Sequence, residues 1–149
     1  MEVFCLNGYE NEKISLELNE VLGFPESTSY EGGYDIICTL TIDVGCYHVL
    51  YERYYSATGA LYNFSSKLKD CYQNLEGYAE YHLVLENDLE FKVSMTASGH
   101  AIVTGIFKER PDKNSILTFE METDQTYFLP VIQSINELKN TYGGMQGIK

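Results

Sequence analysis

Apolar and polar residues alternate along several stretches of the chain with a period of two, which is typical of half-buried β-strands. The clearest stretch is 36–44, where every second residue from Ile36 to Val44 is apolar. Further strands are predicted at 3–6, 14–18, 47–55, 79–85, 89–95, 100–108 and 116–122. The stretch at 100–108 is apolar on both faces, so we expect a central strand that is covered on both sides. The pattern thus predicts about seven to eight strands.

Two other segments carry apolar residues three and four positions apart, which is the spacing of an amphipathic helix. We predict helices over roughly 59–75 and 124–142. Gly77 suits the left-handed conformation just beyond the first helix, and Asp124 suits the N-cap of the second. Pro130 lies too deep for a first-turn proline if Asp124 is the cap, so we expect a kink or a short first turn there.

The turn after Leu85 can be predicted from register, because a shift of one residue would move every apolar side chain of a strand to the opposite face. Leu85 must lie opposite Leu89 if the two neighbouring strands are to face one core. The residues between them, Glu86, Asn87 and Asp88, then form a three-residue loop with Asn87 or Asp88 in the left-handed conformation.

Together these elements predict the α+β class, with one mostly antiparallel sheet packed against two helices. The chain has 149 residues, which fits a single domain over 1–149. Gly143 and Gly144 end the second helix, and we expect 143–149 to be a flexible tail.

The charge of the chain limits its partners, since 22 acidic and 10 basic side chains give a net charge of −12. Nucleic acids and anionic membranes are bound through lysine and arginine, so we expect neither as a direct partner. A basic protein would be attracted, because complementary charge raises association rates. The acidity also serves solubility, so charge alone does not establish such a partner.

The N-terminal residues and the cysteines predict a cytoplasmic protein. Residues 1–9 have neither a basic segment nor a long apolar run, so we expect no signal peptide. The cysteines are scattered and form no C-x-x-C pair, so we expect reduced thiols; they are Cys5, Cys38, Cys46 and Cys71.

No combination of residues in the sequence predicts a catalytic or metal centre. The three histidines, His48, His82 and His100, are not spaced as metal ligands. His100 is the best candidate for catalysis, but a histidine at the start of a strand more often supports a turn or packs between strands. Asp124 could be a general base, but its position before an apolar helix favours an N-cap. We therefore expect no enzyme activity, no cofactor and no metal.

The most distinctive residues lie between Gly99 and Gly143. Their motifs are Gly99-His100-Ala101, Gly105, Leu117-x-Phe119-Glu120 and Asp124-Gln125-Thr126-Tyr127, preceded by Leu68, Tyr72 and Leu75 in the first predicted helix and by Gly77 just beyond it. In this order the motifs resemble the WapI family of bacterial immunity proteins. The resemblance implies a cytosolic protein that binds a secreted or contact-delivered toxin domain, a nuclease, and neutralises it by stoichiometric occlusion. The motif residues are mainly architectural, so the toxin-binding surface should lie on other, exposed positions.

A nuclease needs basic side chains to hold nucleic acid, and an acidic protein can cover them. We therefore expect exposed carboxylates to steer the toxin and a few aromatic residues to anchor it. The predicted partner-binding residues are Glu80, Glu86, Asp88, Glu90, Glu120 and Glu122, with Tyr54 and Tyr78 as anchors.

Two other functions are compatible with the sequence. One is a small-ligand-binding domain whose pocket is lined by some of the 13 tyrosines. The other is an enzyme that uses His100 together with a carboxylate. A deep, tyrosine-walled cavity would favour the ligand-binding domain, whereas a flat acidic face would favour an immunity protein. The sequence specifies neither the toxin nor an oligomeric state.

Overall fold

The computed structural model describes residues 1–148. This part of the chain contains eight strands and two α-helices: β1 Glu2–Asn7, β2 Lys13–Val21, β3 Asp35–Val44, β4 Tyr47–Ala57, α1 Thr58–Asn74, β5 Tyr78–Tyr81, β6 Leu89–Met95, β7 His100–Phe107, β8 Leu117–Asp124 and α2 Phe128–Tyr142. Short 3-10 turns occupy Tyr9–Asn11 and Gln125–Tyr127. The predicted α+β class is confirmed.

The strands form two four-stranded sheets, in the orders β1-β2-β3-β4 and β5-β6-β7-β8. All neighbouring strands are antiparallel. The prediction of a single sheet was therefore wrong. Because α1 connects β4 to β5, the chain leaves the first sheet before the second begins, and β5 pairs only with β6. Each sheet has one apolar face, and the two faces share one core.

The contacts between the sheets show that their strands cross. The start of β4, at Tyr47, shares a cleft with Leu117 at the start of β8. The end of β4 reaches β5, where the Tyr54 and Tyr81 hydroxyls are hydrogen-bonded at 2.7 Å. Since β5 and β8 are the opposite edges of the second sheet, β4 runs across all four of its strands.

Aromatic side chains fill the space between the sheets and α1. Phe91 of β6 lies with its ring centroid 5.1 Å from Phe64 of α1 and 6.2 Å from Phe4 of β1. On its own sheet, Phe91 stacks on Tyr81 at 5.1 Å. All four side chains are at most 2% exposed. Phe91 thus joins three elements at the centre of the core.

Both helices match the predicted segments closely. The first begins at Thr58 and ends at the left-handed C-cap Leu75, and Gly77 is also left-handed, at φ 89°. The second α-helix begins at Phe128 instead of at residue 124, because a 3-10 turn separates it from its predicted cap. Pro130 consequently lies in the first turn of α2. Backbone N–H groups in this turn form no intrahelical hydrogen bond, so the absence of an N–H in proline costs none. The predicted short first turn is confirmed.

The predicted three-residue loop after Leu85 was wrong. Tyr81 pairs with Phe91, so β5 ends four residues earlier than expected and 82–88 form the connection. The Glu31 carboxylate accepts hydrogen bonds from the backbone N–H groups of Val84 and Leu85, both at 3.1 Å. The Glu31 side chain thus accepts hydrogen bonds from the backbone N–H groups that a longer β5 would use for strand pairing. Leu85 is 65% exposed, and neither residue expected to be left-handed has a positive φ.

The residues after α2 contact the loops before β3. The Met145 carbonyl accepts a hydrogen bond from the Gly33 N–H at 2.8 Å. The Ile148 N–H donates to the Tyr34 hydroxyl at 3.1 Å. Lys149 lies outside the described residues, and the flexible tail over 143–149 stays a prediction.

Gly105 of β7 leaves no space for a side chain. It lies between Phe91 and Phe119 in the sheet. A Cβ atom at this position would lie 2.8 Å from Cε1 of Phe119 and closer still to its Cζ, and 2.9 Å from the Glu90 carbonyl oxygen. We expect Gly105→Ala to lower the free energy of unfolding by about 1–3 kcal/mol, because the ring must shift within a packed core. Urea denaturation measures the effect. Unchanged stability would contradict the close packing of the Phe119 ring over this residue.

Candidate partner-binding face

The side of the second sheet that points away from the core is exposed and carries most of the predicted partner-binding residues. We call it the acidic face. Across the four strands, the register aligns its residues in three rows: Tyr78, Ser94, Ile102 and Glu122; Glu80, Lys92, Thr104 and Glu120; and Glu90, Ile106 and Thr118. The expectation that β7 is covered on both sides was therefore wrong. Ile106, which faces outward, is 47% exposed.

Three of the predicted carboxylates border one shallow depression on this face. Glu80, Glu90 and Glu120 line a volume of about 430 Å³ together with the side chain of Lys92. Within residues 1–148, ion pairs form only between His48 and Asp43 and between Arg110 and Asp112. The carboxylates of the face are therefore not neutralised by a salt bridge, and their field is directed to solvent.

Lys92 is a residue of this face that the sequence analysis missed. Its ammonium group lies 5.3 Å from the ring centroid of Tyr78, at the distance of a cation–π contact. Its outward direction could have been predicted, because Lys92 is two residues from Glu90 on the same strand. Tyr78 is 59% exposed, so the face offers an aromatic ring beside a positive charge and several negative ones.

Two more carboxylates of the predicted set, Glu86 and Asp88, lie in the connection before β6. Asp88 is half-buried and accepts a hydrogen bond from the Leu89 N–H at 3.1 Å, and burial raises the pKa of its carboxyl group. Glu86 is exposed and lines a different cleft, with Tyr30 and Tyr55. The structure therefore brings together Glu80, Glu90 and Glu120, with Glu122 in the adjoining row, and places Glu86 and Asp88 beyond the edge of the depression.

Tyr54 does not belong to any exposed surface, which corrects its selection as an anchor. Its side chain is 0% exposed, and its hydroxyl group is paired with that of Tyr81. The Ser56 hydroxyl completes the cluster with a 2.7 Å hydrogen bond to Tyr81. Burial raises the pKa of Tyr54 well above its ordinary value. Since these hydroxyl groups satisfy one another, they are not available to a toxin or to a small ligand.

Asp124 acts as a cap, as its position in the sequence predicts. Its Oδ1 accepts a hydrogen bond from the Thr126 N–H at 2.8 Å. Its Oδ2 accepts from the Tyr9 hydroxyl at 2.7 Å, which raises the pKa of Tyr9 to about 12. The Tyr9 oxygen also lies 3.1 Å from Nδ1 of His100. Because the single hydroxyl proton of Tyr9 is donated to Asp124, we infer that Nδ1 of His100 carries the proton in that contact.

These hydrogen bonds make stability depend on pH. The bonds from Thr126 and Tyr9 lower the pKa of Asp124, so its ionised form stabilises the fold above the unfolded pKa of about 3.9. This contribution is lost as the pH falls through the lower, folded pKa. Asn keeps the cap acceptor but has no charge. We therefore expect the difference in unfolding free energy between wild type and Asp124→Asn to shrink below about pH 4. Urea denaturation across pH measures it, and a constant difference would contradict the role of the charge.

Residues 1–148 contain neither a metal-binding cluster nor a membrane-spanning helix. No group of three or more His, Cys, Asp and Glu side chains is placed to hold a metal ion. Neither α-helix combines the length and the apolar character needed to cross a membrane.

The chain is thus an α+β protein with two four-stranded sheets, one of which carries exposed carboxylates on its outer side. The chain belongs to the immunity protein WapI-like family, whose family model matches residues 5–143. The resemblance based on the motifs between Gly99 and Gly143 is thereby confirmed. No curated protein sequence matches the chain. Among solved structures, the chain is similar to one in the CdiA-CT/CdiI toxin and immunity complex from Enterobacter cloacae, with 12% identity and a TM-score of 0.45, over 83% of this chain and 99% of that chain.

Proposed function

We propose that this immunity protein uses the acidic face to cover the nucleic-acid-binding surface of a nuclease toxin domain. The observation that carries the proposal is the set of exposed carboxylates around one depression, Glu80, Glu90 and Glu120, none of which forms a salt bridge within the described residues. The net charge of −12 supports it, because it adds a long-range attraction for a basic partner.

A nuclease must neutralise several phosphates of its substrate with lysine and arginine. The same basic surface is attracted to an acidic protein, which then competes with the nucleic acid for it. In the rows of the sheet, neighbouring strands are about 4.8 Å apart and alternate residues of a strand about 6.6 Å. Glu120 and Glu122 are therefore about 6.6 Å apart, and the three carboxylates around the depression are separated by about 8–14 Å.

We infer that neutralisation is stoichiometric and requires no catalysis by the immunity protein. Membership of an immunity protein family supports this, as does the use of Asp124 as a helix cap. We also place the protein in the cytoplasm, where it would meet an incoming nuclease before the substrate is cleaved.

Co-expression with the cognate toxin domain, to be sought in the genes next to that of this protein, tests the proposal. We expect cells to survive, and the two proteins to co-purify in a one-to-one complex that no longer binds the nucleic acid substrate. Titration of purified toxin with immunity protein should abolish cleavage at one equivalent. Protection at far less than one equivalent, or a stable complex of toxin, immunity protein and nucleic acid, would contradict occlusion.

A further inference from the structure

A second exposed region lies beside the connection between β5 and β6. It is a cleft of about 330 Å³ between the loop before β3 and the 82–88 connection. We call it the tyrosine cleft, after Tyr30 and Tyr55, which line it together with Leu85 and the carboxylates of Glu31, Asp35 and Glu86. The exposed fractions of Tyr30, Tyr55 and Leu85 are 80%, 47% and 65%. Such a cluster of large, exposed apolar residues is typical of a protein interaction site.

The walls of the tyrosine cleft are held in place by side chains of the loop before β3. Both oxygens of the Glu31 carboxylate accept backbone hydrogen bonds from the 82–88 connection, at Val84 and Leu85. The Ser29 hydroxyl donates to Asp35 at 2.6 Å, which ties the loop to the first residue of β3. A partner would therefore meet a preformed cleft, with little ordering of loops to oppose binding.

The chemistry of the tyrosine cleft favours one kind of occupant. Two aromatic rings and a leucine next to three carboxylates suit a side chain with an apolar stem and a cationic head, which is arginine or lysine. Tyr55 already accepts such a group, since the Arg53 guanidinium, which does not line the cleft, lies 6.0 Å from its ring centroid. A second copy of this chain is disfavoured, because each copy has a net charge of −12.

The tyrosine cleft is close enough to the acidic face for one partner to cover both. Glu86 of the cleft is four residues before Glu90 of the face, so their Cα atoms are at most about 14 Å apart. A standard interface covers about 800 Å² on each partner, which corresponds to a disc of about 16 Å radius. Glu86 therefore lies within the footprint of a toxin centred on Glu90, and Leu85, which is at most about 18 Å away, lies at or near its edge.

We propose that the tyrosine cleft is the anchor of the toxin interface and receives an arginine or lysine side chain of the toxin. The inference rests on the proposed function, because the occupant belongs to the same toxin. It divides the interface by physical role: the carboxylates of the acidic face raise the association rate, and desolvated aromatic and apolar contacts in the cleft slow dissociation.

Binding kinetics of purified variants to the toxin domain identified by co-expression, in a catalytically inactive form, test this division. We expect Tyr30→Ala and Leu85→Ala each to raise the dissociation rate by about ten- to thirty-fold, with little change in the association rate. The effect should change little with salt, since Tyr30 and Leu85 are themselves uncharged and the substitutions remove no charge from the cleft. Leu50→Ala is the matched control, because Leu50 is 57% exposed on β4 and does not line the tyrosine cleft. All three residues are exposed, so we expect the variants to fold.

The outcomes separate the inference from the proposed function. If Tyr30→Ala and Leu85→Ala bind like Leu50→Ala while charge reversal on the acidic face weakens binding, the cleft is not the anchor and the proposed function stands. If the cleft variants weaken binding and charge reversal has no effect, the tyrosine cleft is the anchor and the proposed binding role of the acidic face is overturned. If the wild-type chain does not bind this toxin, both are overturned.

Discussion

Replacing Phe91 by alanine is expected to lower the free energy of unfolding by about 3–5 kcal/mol, the typical cost of removing a buried phenylalanine ring. Its ring contacts aromatic side chains from β1, α1 and β5. No single neighbour can move into the space without losing contacts elsewhere, so a cavity should remain. Since small domains are stable by only about 5–15 kcal/mol, this variant should be close to unfolding. Urea denaturation followed by circular dichroism measures the loss.

Ile106→Ala is the matched control for this variant. Ile106 lies on the adjacent strand of the same sheet, but on its outer side, where 47% of its surface is exposed. We expect its loss to cost less than about 1 kcal/mol, since little apolar surface leaves the core. Similar losses for the two variants would contradict the position of Phe91 at the junction of the two sheets.

The elements could be predicted from the sequence, but their assembly into two sheets could not. Alternation along β3 and the helical spacing of α1 depend only on which side of each element is buried. The sequence therefore predicts the bounds of both elements to within a few residues. Whether β4 and β5 belong to one sheet depends on the path of the chain through α1. The residue pattern is the same for one sheet covered by helices and for two sheets that face each other.

Two local predictions were wrong because of contacts between residues that are distant in sequence. Leu85 extends the alternation of β5, which predicts a strand residue, but the Glu31 carboxylate, 54 residues earlier, accepts a hydrogen bond from its backbone N–H. The sequence predicts Tyr54 as a partner-binding anchor, but a shift in the pairing of β3 and β4 beside Cys38 places its side chain in the core. Neither contact leaves a signal in the local pattern of apolar residues.

The candidate site was partly predictable from the alternation of exposed and buried residues along its strands. Glu80, Glu90 and Glu120 face outward because each alternates with buried neighbours, and pairing of the four strands brings them to one depression. The tyrosine cleft could not be predicted, because its two walls come from irregular loops. That these surfaces bind the toxin stays a prediction.

The double variant Glu90→Lys/Glu120→Lys is expected to bind the toxin domain about ten- to hundred-fold more slowly at low salt. Both side chains are exposed and border the same depression, so their reversal replaces the attraction at its centre by repulsion. The loss should shrink at high salt, because the screening length falls from about 10 Å at 0.1 M to about 3 Å at 1 M. Association rates measured by surface plasmon resonance over this range give both quantities.

Glu17→Lys/Glu137→Lys separates a local effect from that of net charge. Both glutamates are exposed, on β2 and α2, outside the acidic face. Each double variant removes two negative charges and adds two positive ones, so the net charge changes from −12 to −8 in both. If overall charge alone attracted the toxin, the two variants would slow association equally. We expect the control to retain most of the wild-type rate, because only the reversed charges at Glu90 and Glu120 lie within a screening length of the bound toxin. Equal decreases in the association rate would show that the acidic face has no specific role in toxin binding.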